Sequence, residues 1–544
     1  MSRNLKYTIF ALLFAVLMSI PFLVPHCGWV ALFAFIPLLC LDRIATIEGT
    51  KKLWRWHYPA FVLWNLFTTF WVCNASIGGG IFAVLANALK MSLIFGLFRL
   101  SKKYFKGVLP YIFLAATWIA WEHVYFNVQI SWPWLVLGNA FARTTHLIQW
   151  YEYTGSLGGS LWIWACNLGL FGIMCALSDG SWNRWNGKAR IAALTSYAIC
   201  LICPMVLSVV MYKNYKETSE PLEVAILQPN IDPYHKFQAL TQDQQNAILE
   251  GQFKTCLADR RTDSTATSPL LVLAPETFTN DIIVGEYALS KTWRRFRTLL
   301  SDYKGVNLLF GASATSIINS TERPSYTARQ INDGIWRESH NSAIMMNGEG
   351  KTEIFHKSKL VVGVEMTPYP RFYGWLDDKF IGGVMGRCVG QDEISLLHVR
   401  ADSTIIPIGC AICYESVFGE YCTGYVRKGA KALTVITNDA WWGNTPGYRQ
   451  HMSYASLRAI ETRRDIARCA NTGISGFINQ RGDVLEASSW WEPAQMRGEV
   501  NLNDKVTFFV ANGDIVGRLC CLIFALLALG TIVRIIVPAS ARKN

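Results

Sequence analysis

Residues 404–416, TIIPIGCAICYES, decide how this chain is read. A run of β-branched and small apolar residues leads straight into Cys413, Tyr414 and Glu415, the pattern of a short buried strand that ends on reactive groups. Two other apolar runs end in the same way. LVLAPETF (271–278) carries Glu276, and IFHKSKLVV (354–362) carries Lys357. A carboxylate, an ammonium and a thiol are the parts that move an acyl group through a thioester: base, oxyanion partner and nucleophile. Taken singly, each has an ordinary reading. Cys is among the most buried residue types, a Glu often closes a strand, and a Lys is usually solvated, as neighbouring Lys359 is expected to be. Three such groups in matched contexts argue for chemistry.

The surrounding segment, about 220–505, alternates short apolar runs with helical spacings. LEVAILQPN (222–230), NLLFGAS (307–313), SAIMMN (342–347) and ALTVITND (432–439) read as strands, whereas 241–260, 293–303 and 450–464 read as helices. Several strands end on a polar or reactive residue: Gln228, Glu276, Cys413 and Asp439. Sites in open α/β sheets form at such strand ends. The expectation is an α/β sandwich.

The remainder is a membrane bundle of about eight spans. The chain has 544 residues and is 51% hydrophobic, too long and too apolar for one soluble domain. Apolar runs of spanning length occupy about 7–24, 29–41, 59–73, 80–98, 108–126, 161–177, 191–212 and 516–537. This divides the chain into a membrane domain at 1–215, a catalytic domain at 220–505, and a last span with a short tail at 512–544. The first run has Arg3 and Lys6 ahead of it but no small-x-small cleavage site behind it, so it reads as a retained span. Basic residues follow spans two (Arg43, Lys51, Lys52, Arg55), four (Arg99, Lys102, Lys103, Lys106) and six (Arg184, Lys188, Arg190), while the alternate loops are nearly free of them. That bias places both termini in the cytoplasm and the catalytic domain outside it. Arg542 and Lys543 in the tail agree. The net charge of +12 is thus partly topological, and no nucleic-acid motif is present. Lys90, inside span four, reads as a snorkelling residue or a functional one. The 15 cysteines lack metal-ligand spacing, which argues against structural zinc. A disulfide among the soluble-domain cysteines other than Cys413 is left open.

Taken together, residues 222–503 resemble the nitrilase (carbon–nitrogen hydrolase) superfamily, whose triad is Glu–Lys–Cys. With the eight-span layout, nearly the whole chain resembles the bacterial apolipoprotein N-acyltransferase family. The resemblance rests on APETF (274–278), HKSKLVVGVEMTP (356–368), CAICYES (410–416), the long block 438–473, SWPWLVLGNAF (131–141) and TFFVANGD (507–514). The chain departs from the family at Lys359–Glu365, where the family has His-Leu-Val-Pro-Phe-Gly-Glu, and at Phe237, where the family has a Trp. The resemblance implies an αββα sandwich attached to the bundle. It implies Cys413 as nucleophile, Glu276 as base and Lys357 at the oxyanion, with Glu365, Tyr414 and Glu415 in support. The loop of Asn438, Asp439, Trp441 and Trp442 is expected near the site, without a catalytic role.

The implied reaction is ping-pong transfer of an acyl group from a membrane phospholipid, through a Cys413 thioester, to the α-amino group of a diacylglyceryl-modified Cys at the N-terminus of a lipoprotein. It requires no metal or soluble cofactor. The implied setting is the bacterial inner membrane, catalytic domain on the periplasmic side, as a monomer. The alternatives are a membrane-tethered amidase with the same triad, in which water cleaves the intermediate, and a non-catalytic lipid-binding or transport protein.

Overall fold

A computed structural model describes residues 2–218, 220–233, 236, 239–262, 268–376, 379 and 386–536. Phe237 and the basic tail residues Arg542 and Lys543 lie outside the described residues. The chain forms two units, residues 1–215 with 512–544, and residues 216–511.

The first unit is helical. Its long helices are Arg3–Leu23, Gly28–Ile47, Trp54–Thr69, Ile77–Ser101, Leu109–Tyr125, Tyr151–Ser178, Gly187–Asn214 and Ile515–Ile536. Among the described residues six of them, 20 to 28 residues long, are long and apolar enough to cross a membrane. Trp54–Thr69 and Leu109–Tyr125, with 16 and 17 residues, are shorter. The span read at 161–177 proves to be the later part of a helix that begins at Tyr151. Aromatic rings fill the bundle: Phe35 meets Trp118 and Trp164 at 5.4 and 4.3 Å between centroids, and Phe14 meets Phe61 edge-on at 5.4 Å. Lys90 neither hangs free nor pairs with an acid here; its ammonium lies 3.6 Å from the centre of the Tyr125 ring. Basic groups gather at one end. Buried Asp42 receives Arg99 at 3.1 Å and Lys102 at 2.5 Å, Lys6 reaches Glu48, Arg43 reaches Asp179, and Arg534 donates to the Tyr104 carbonyl.

The second unit is a four-layer sandwich. The strands are β1 Glu220–Gln228, β2 Leu270–Leu273, β3 Val306–Asn319, β4 Arg329–Asn332, β5 Ile335–Asn347, β6 Thr352–His356, β7 Leu397–Ala401, β8 Thr404–Ile412, β9 Ala432–Thr437, β10 Ile466–Ala470, β11 Gly476–Ile478, β12 Val484–Ala487 and β13 Ala494–Leu502. One sheet runs β13-β1-β2-β3-β5-β4, with β6 also on β5, and the other runs β12-β11-β10-β9-β8-β7. Alternation assigns the faces. In β1, Leu222, Val224 and Ile226 point into the core between the sheets, where they join Ile408, Ile412, Ile436 and Cys469. Ala225 and Leu227 point outward with Phe253, Phe296 and Leu300 of the helices Gln242–Cys256 and Lys291–Leu300. Met452, Ala455 and Ala459 of the helix Pro446–Thr462, together with Tyr425 of Gly419–Arg427, cover the second sheet. All 15 cysteines are free thiols.

Each sheet has a parallel centre, β1-β2-β3 in one and β8-β9-β10 in the other. Because β5 is antiparallel to both β3 and β6, β6 runs with β3. Glu276, Lys357, Cys413 and Asp439 therefore all leave the C-terminal ends of strands. The Glu276 turn is pressed onto β3 at Gly311, whose N–H donates to Pro275 and whose carbonyl accepts from Phe278. A Cβ on Gly311 would stand 2.4 Å from the Thr277 nitrogen and 2.5 Å from the Glu276 Cα. Gly311→Ala is thus expected to cost about 1–3 kcal/mol through forced separation of these backbones. Thermal unfolding of the full chain in detergent will show a lowered Tm; an unchanged Tm would mean that the Glu276 turn yields freely.

Candidate functional site

The site begins with an ammonium that water cannot reach. Lys357, 1% exposed, follows β6 directly, and its backbone N–H donates to the Asn341 carbonyl in β5. Its Nζ lies 3.1 Å from Glu276 Oε1 and 2.9 Å from Glu365 Oε1. Burial alone would lower its pKa, but the two carboxylates outweigh burial and hold it well above the ordinary lysine value. Asn341 Nδ2 donates to the same two oxygens, at 2.7 and 2.6 Å. Both bonds described for Glu276 thus fall on Oε1.

Glu365 is placed by a tight turn. Its N–H returns to the Val361 carbonyl at 2.8 Å, and its Oε2 accepts from the Val361 N–H at 2.7 Å. Gly363 bonds to the Met366 carbonyl and sits at φ +81°, a conformation that favours glycine. The altered sequence before Glu365 therefore still closes the turn, with its glycine at position 363.

Cys413 leaves β8 at φ +51°, a left-handed conformation rare outside glycine, and opens the 3-10 turn Cys413–Val417. Burial pushes its thiol pKa up, the Glu276 carboxylate adds to that, and Lys357 only partly opposes it. Tyr414 is buried and meets the Phe418 ring edge-on at 5.0 Å.

Glu415 ties two of these loops together. Its Oε2 accepts from the Ile412 N–H at 2.8 Å, and its Oε1 accepts from the N–H groups of Ser358 and Lys359 at 2.6 and 3.2 Å. Tyr421 donates to Oε1 at 2.9 Å. Burial raises the Glu415 pKa, and the backbone donors partly offset this. Lys359 is not the solvated residue expected. It is half-buried, with its ammonium 5.3 Å from the Phe418 ring centre.

Sequence reading missed several residues here. Asn341 lies in mid-strand, where an Asn signals nothing. Lys236 lies over the Phe278 ring and donates to the Thr277 carbonyl; burial lowers its pKa to about 8 against the raising field of Glu276. Asp439 was expected nearby, without a catalytic role, and its partners were not. Its Oδ1 lies 2.9 Å from His451 Nδ1 and accepts from Thr437 Oγ1 at 2.9 Å, and its Oδ2 accepts from Arg468 at 2.6 Å. Burial would raise its pKa, but Arg468 and His451 hold it well below the usual carboxylate range.

Known proteins match along most of the length. The family described as apolipoprotein N-acyltransferase N-terminal domain matches residues 14–169, and carbon-nitrogen hydrolase matches residues 271–505. The apolipoprotein N-acyltransferase of Chlorobaculum tepidum is 27% identical over 521 residues, 93% of this chain and 92% of the relative. That of Geobacter metallireducens is 26% identical over 533 residues, 94% and 92% of the two chains. Apolipoprotein N-acyltransferase 2 of Treponema denticola is 24% identical over 484 residues, 86% of each.

Asp439 makes acid stability testable. A carboxyl held below its unfolded pKa of about 3.9 stabilises the fold above that pH, and the contribution disappears as pH falls through the folded value. Asp439→Asn leaves Arg468 buried without its counter-charge, so a loss of about 3–5 kcal/mol is expected at pH 7. The gap from the unsubstituted protein should narrow below about pH 4, which thermal unfolding at the two pH values will read.

Proposed function

Since the chain belongs to the apolipoprotein N-acyltransferase family, we propose that it transfers a fatty acyl group from a membrane phospholipid to the N-terminal amine of a diacylated lipoprotein, with Glu276, Lys357 and Cys413 as its catalytic residues. The observation that carries this assignment is the buried Lys357 ammonium between Glu276 and Glu365, at the strand edge where Cys413 leaves β8.

Oε2 of Glu276 takes the thiol proton as sulfur attacks the ester carbonyl of the phospholipid. The carbonyl oxygen becomes an oxyanion, stabilised by the Lys357 ammonium, which needs no reorganisation because Glu276 and Glu365 already fix it. The ester C–O bond breaks, Glu276 returns the proton to the leaving lysophospholipid alkoxide, and an acyl thioester remains. The lipoprotein amine then attacks the thioester, Glu276 accepts its proton, and the C–S bond breaks to give an amide and the free thiol. Glu365 and Asn341 hold Lys357 and Glu276 in place; Glu415 fixes the Lys357 loop to the Cys413 turn; Tyr414 supports the wall beside the sulfur.

The helical unit supports a multi-pass membrane protein, and its charges support an orientation. The end that collects Lys6, Arg43, Arg99, Lys102 and Arg534 is the cytoplasmic end by the positive-inside rule. With seven helices ahead of residue 216, the catalytic unit is then on the outer side of the inner membrane, and the chain works as a monomer.

Incubation of the purified protein with phospholipid alone, followed by peptide mass spectrometry, tests the first half-reaction. A hydroxylamine-labile acyl group on Cys413 is expected, absent in Cys413→Ala and reduced about 10²-fold or more in Glu276→Gln. No adduct together with hydrolysis of small amides would replace this reading with that of a tethered amidase.

A further inference from the structure

We propose that His451 is a positioning residue for the Cys413 nucleophile, acting with Ser416 through the Cys413 carbonyl. The inference rests on the proposed role of Cys413 and adds a residue of the helix Pro446–Thr462.

A left-handed cysteine costs roughly 1–2 kcal/mol and persists only where its surroundings over-determine it. At Cys413 the handle is the carbonyl oxygen. Ser416 Oγ donates to it at 2.8 Å, and His451 Nε2 lies 3.1 Å from it. A carbonyl oxygen only accepts, so Nε2 carries the hydrogen. Ser416 Oγ is also 3.0 Å from Nε2, so that N–H is shared between hydroxyl and carbonyl. The imidazole is itself fixed from behind. Nδ1 lies 2.9 Å from Asp439 Oδ1 and 3.1 Å from Arg468 Nη2, and Arg468 also bonds Asp439. Trp442 meets the ring edge-on at 5.4 Å. His451, Asp439 and Arg468 are all fully buried.

The result is a strut from the end of β9 and the middle of β10 to one carbonyl. That carbonyl shares a planar peptide with the Tyr414 N–H, so fixing one fixes the direction of the other. Rotation of this peptide changes ψ of Cys413 and would take the residue out of its left-handed conformation. A buried Asp–Arg–His cluster adds little stability over apolar packing; what this one supplies is direction.

The test compares His451→Asn, His451→Gln and Ser416→Ala in the full-length protein. The readouts are the iodoacetamide alkylation rate of the Cys413 peptide by mass spectrometry, kcat and KM of acyl transfer, and Tm. A Gln amide reaches the Nε2 position and restores a donor to the carbonyl, whereas an Asn amide stops near Nδ1. His451→Asn is expected to slow alkylation and kcat about 10²-fold with KM within about twofold. His451→Gln should stay within about tenfold of the unsubstituted protein, and Ser416→Ala should lose about tenfold. The proposal is overturned if Asn and Gln variants of equal Tm are equally slow, or if alkylation stays unchanged in all three. Should His451→Asn fail to fold, Ser416→Ala and His451→Gln decide by the same rates. Alkylation needs no acyl donor, so it reads the strut even if the unsubstituted protein forms no acyl adduct and the transfer reading fails.

Discussion

An ammonium removed from water must have its charge met on the spot, and the Lys357 site is organised around that demand. Two carboxylates and the Asn341 amide surround one buried cation. Loss of a single partner from such a set typically costs about 3–5 kcal/mol, because the other charge is left uncompensated. The two loops and the strand that supply these groups therefore cannot move independently. The strands beneath them make this affordable in geometry: β2, β6 and β8 end at one edge of their sheets, so loops distant in sequence arrive at one place.

Glu415 extends the same logic from side chains to backbone. A carboxylate two residues after Cys413 would be an electrostatic liability for a thiol that must ionise. Here it is spent on N–H groups instead, one before Cys413 and two after Lys357. Its charge is met by amide dipoles and by the Tyr421 hydroxyl. The Cys413 turn and the Lys357 loop are thereby one hydrogen-bonded piece.

Much of this was legible in the sequence because the reactive residues end apolar runs. Glu276, Lys357 and Cys413 each close a strand whose alternation can be read directly, and the basic loops repeat every second span. Three kinds of feature were not legible. Asn341 lies in the middle of β5, whose pairing with β3 extends over 13 residues although only 342–347 read as a strand. His451 and Arg468 look like ordinary members of a helix and a strand, and only the parallel packing of β8, β9 and β10 brings them behind Cys413. Lys359 was misjudged because a lysine stem packs well on aromatic rings, and Phe418 and Tyr421 come from another loop. In each case the missing information is a contact across sheets or loops, which local pattern does not carry.

In the proposed mechanism one base serves two different reactions. Burial raises the Cys413 thiol pKa, so in that mechanism the sulfur holds its proton until Glu276 takes it. When sulfur attacks the ester, Glu276 becomes neutral and the developing oxyanion takes over the negative charge beside Lys357, so the total is conserved. Return of the proton to the leaving alkoxide restores the carboxylate. The thioester is neutral, and the site meets the amine with the same charge with which it met the ester. A thiolate beside a protonated Glu276 would reach the same point, since the leaving alkoxide would take the Glu276 proton. What two successive acyl transfers at one sulfur require of the proposed site is therefore one carboxylate free to take a proton when the amine arrives, whichever group held that proton at the start.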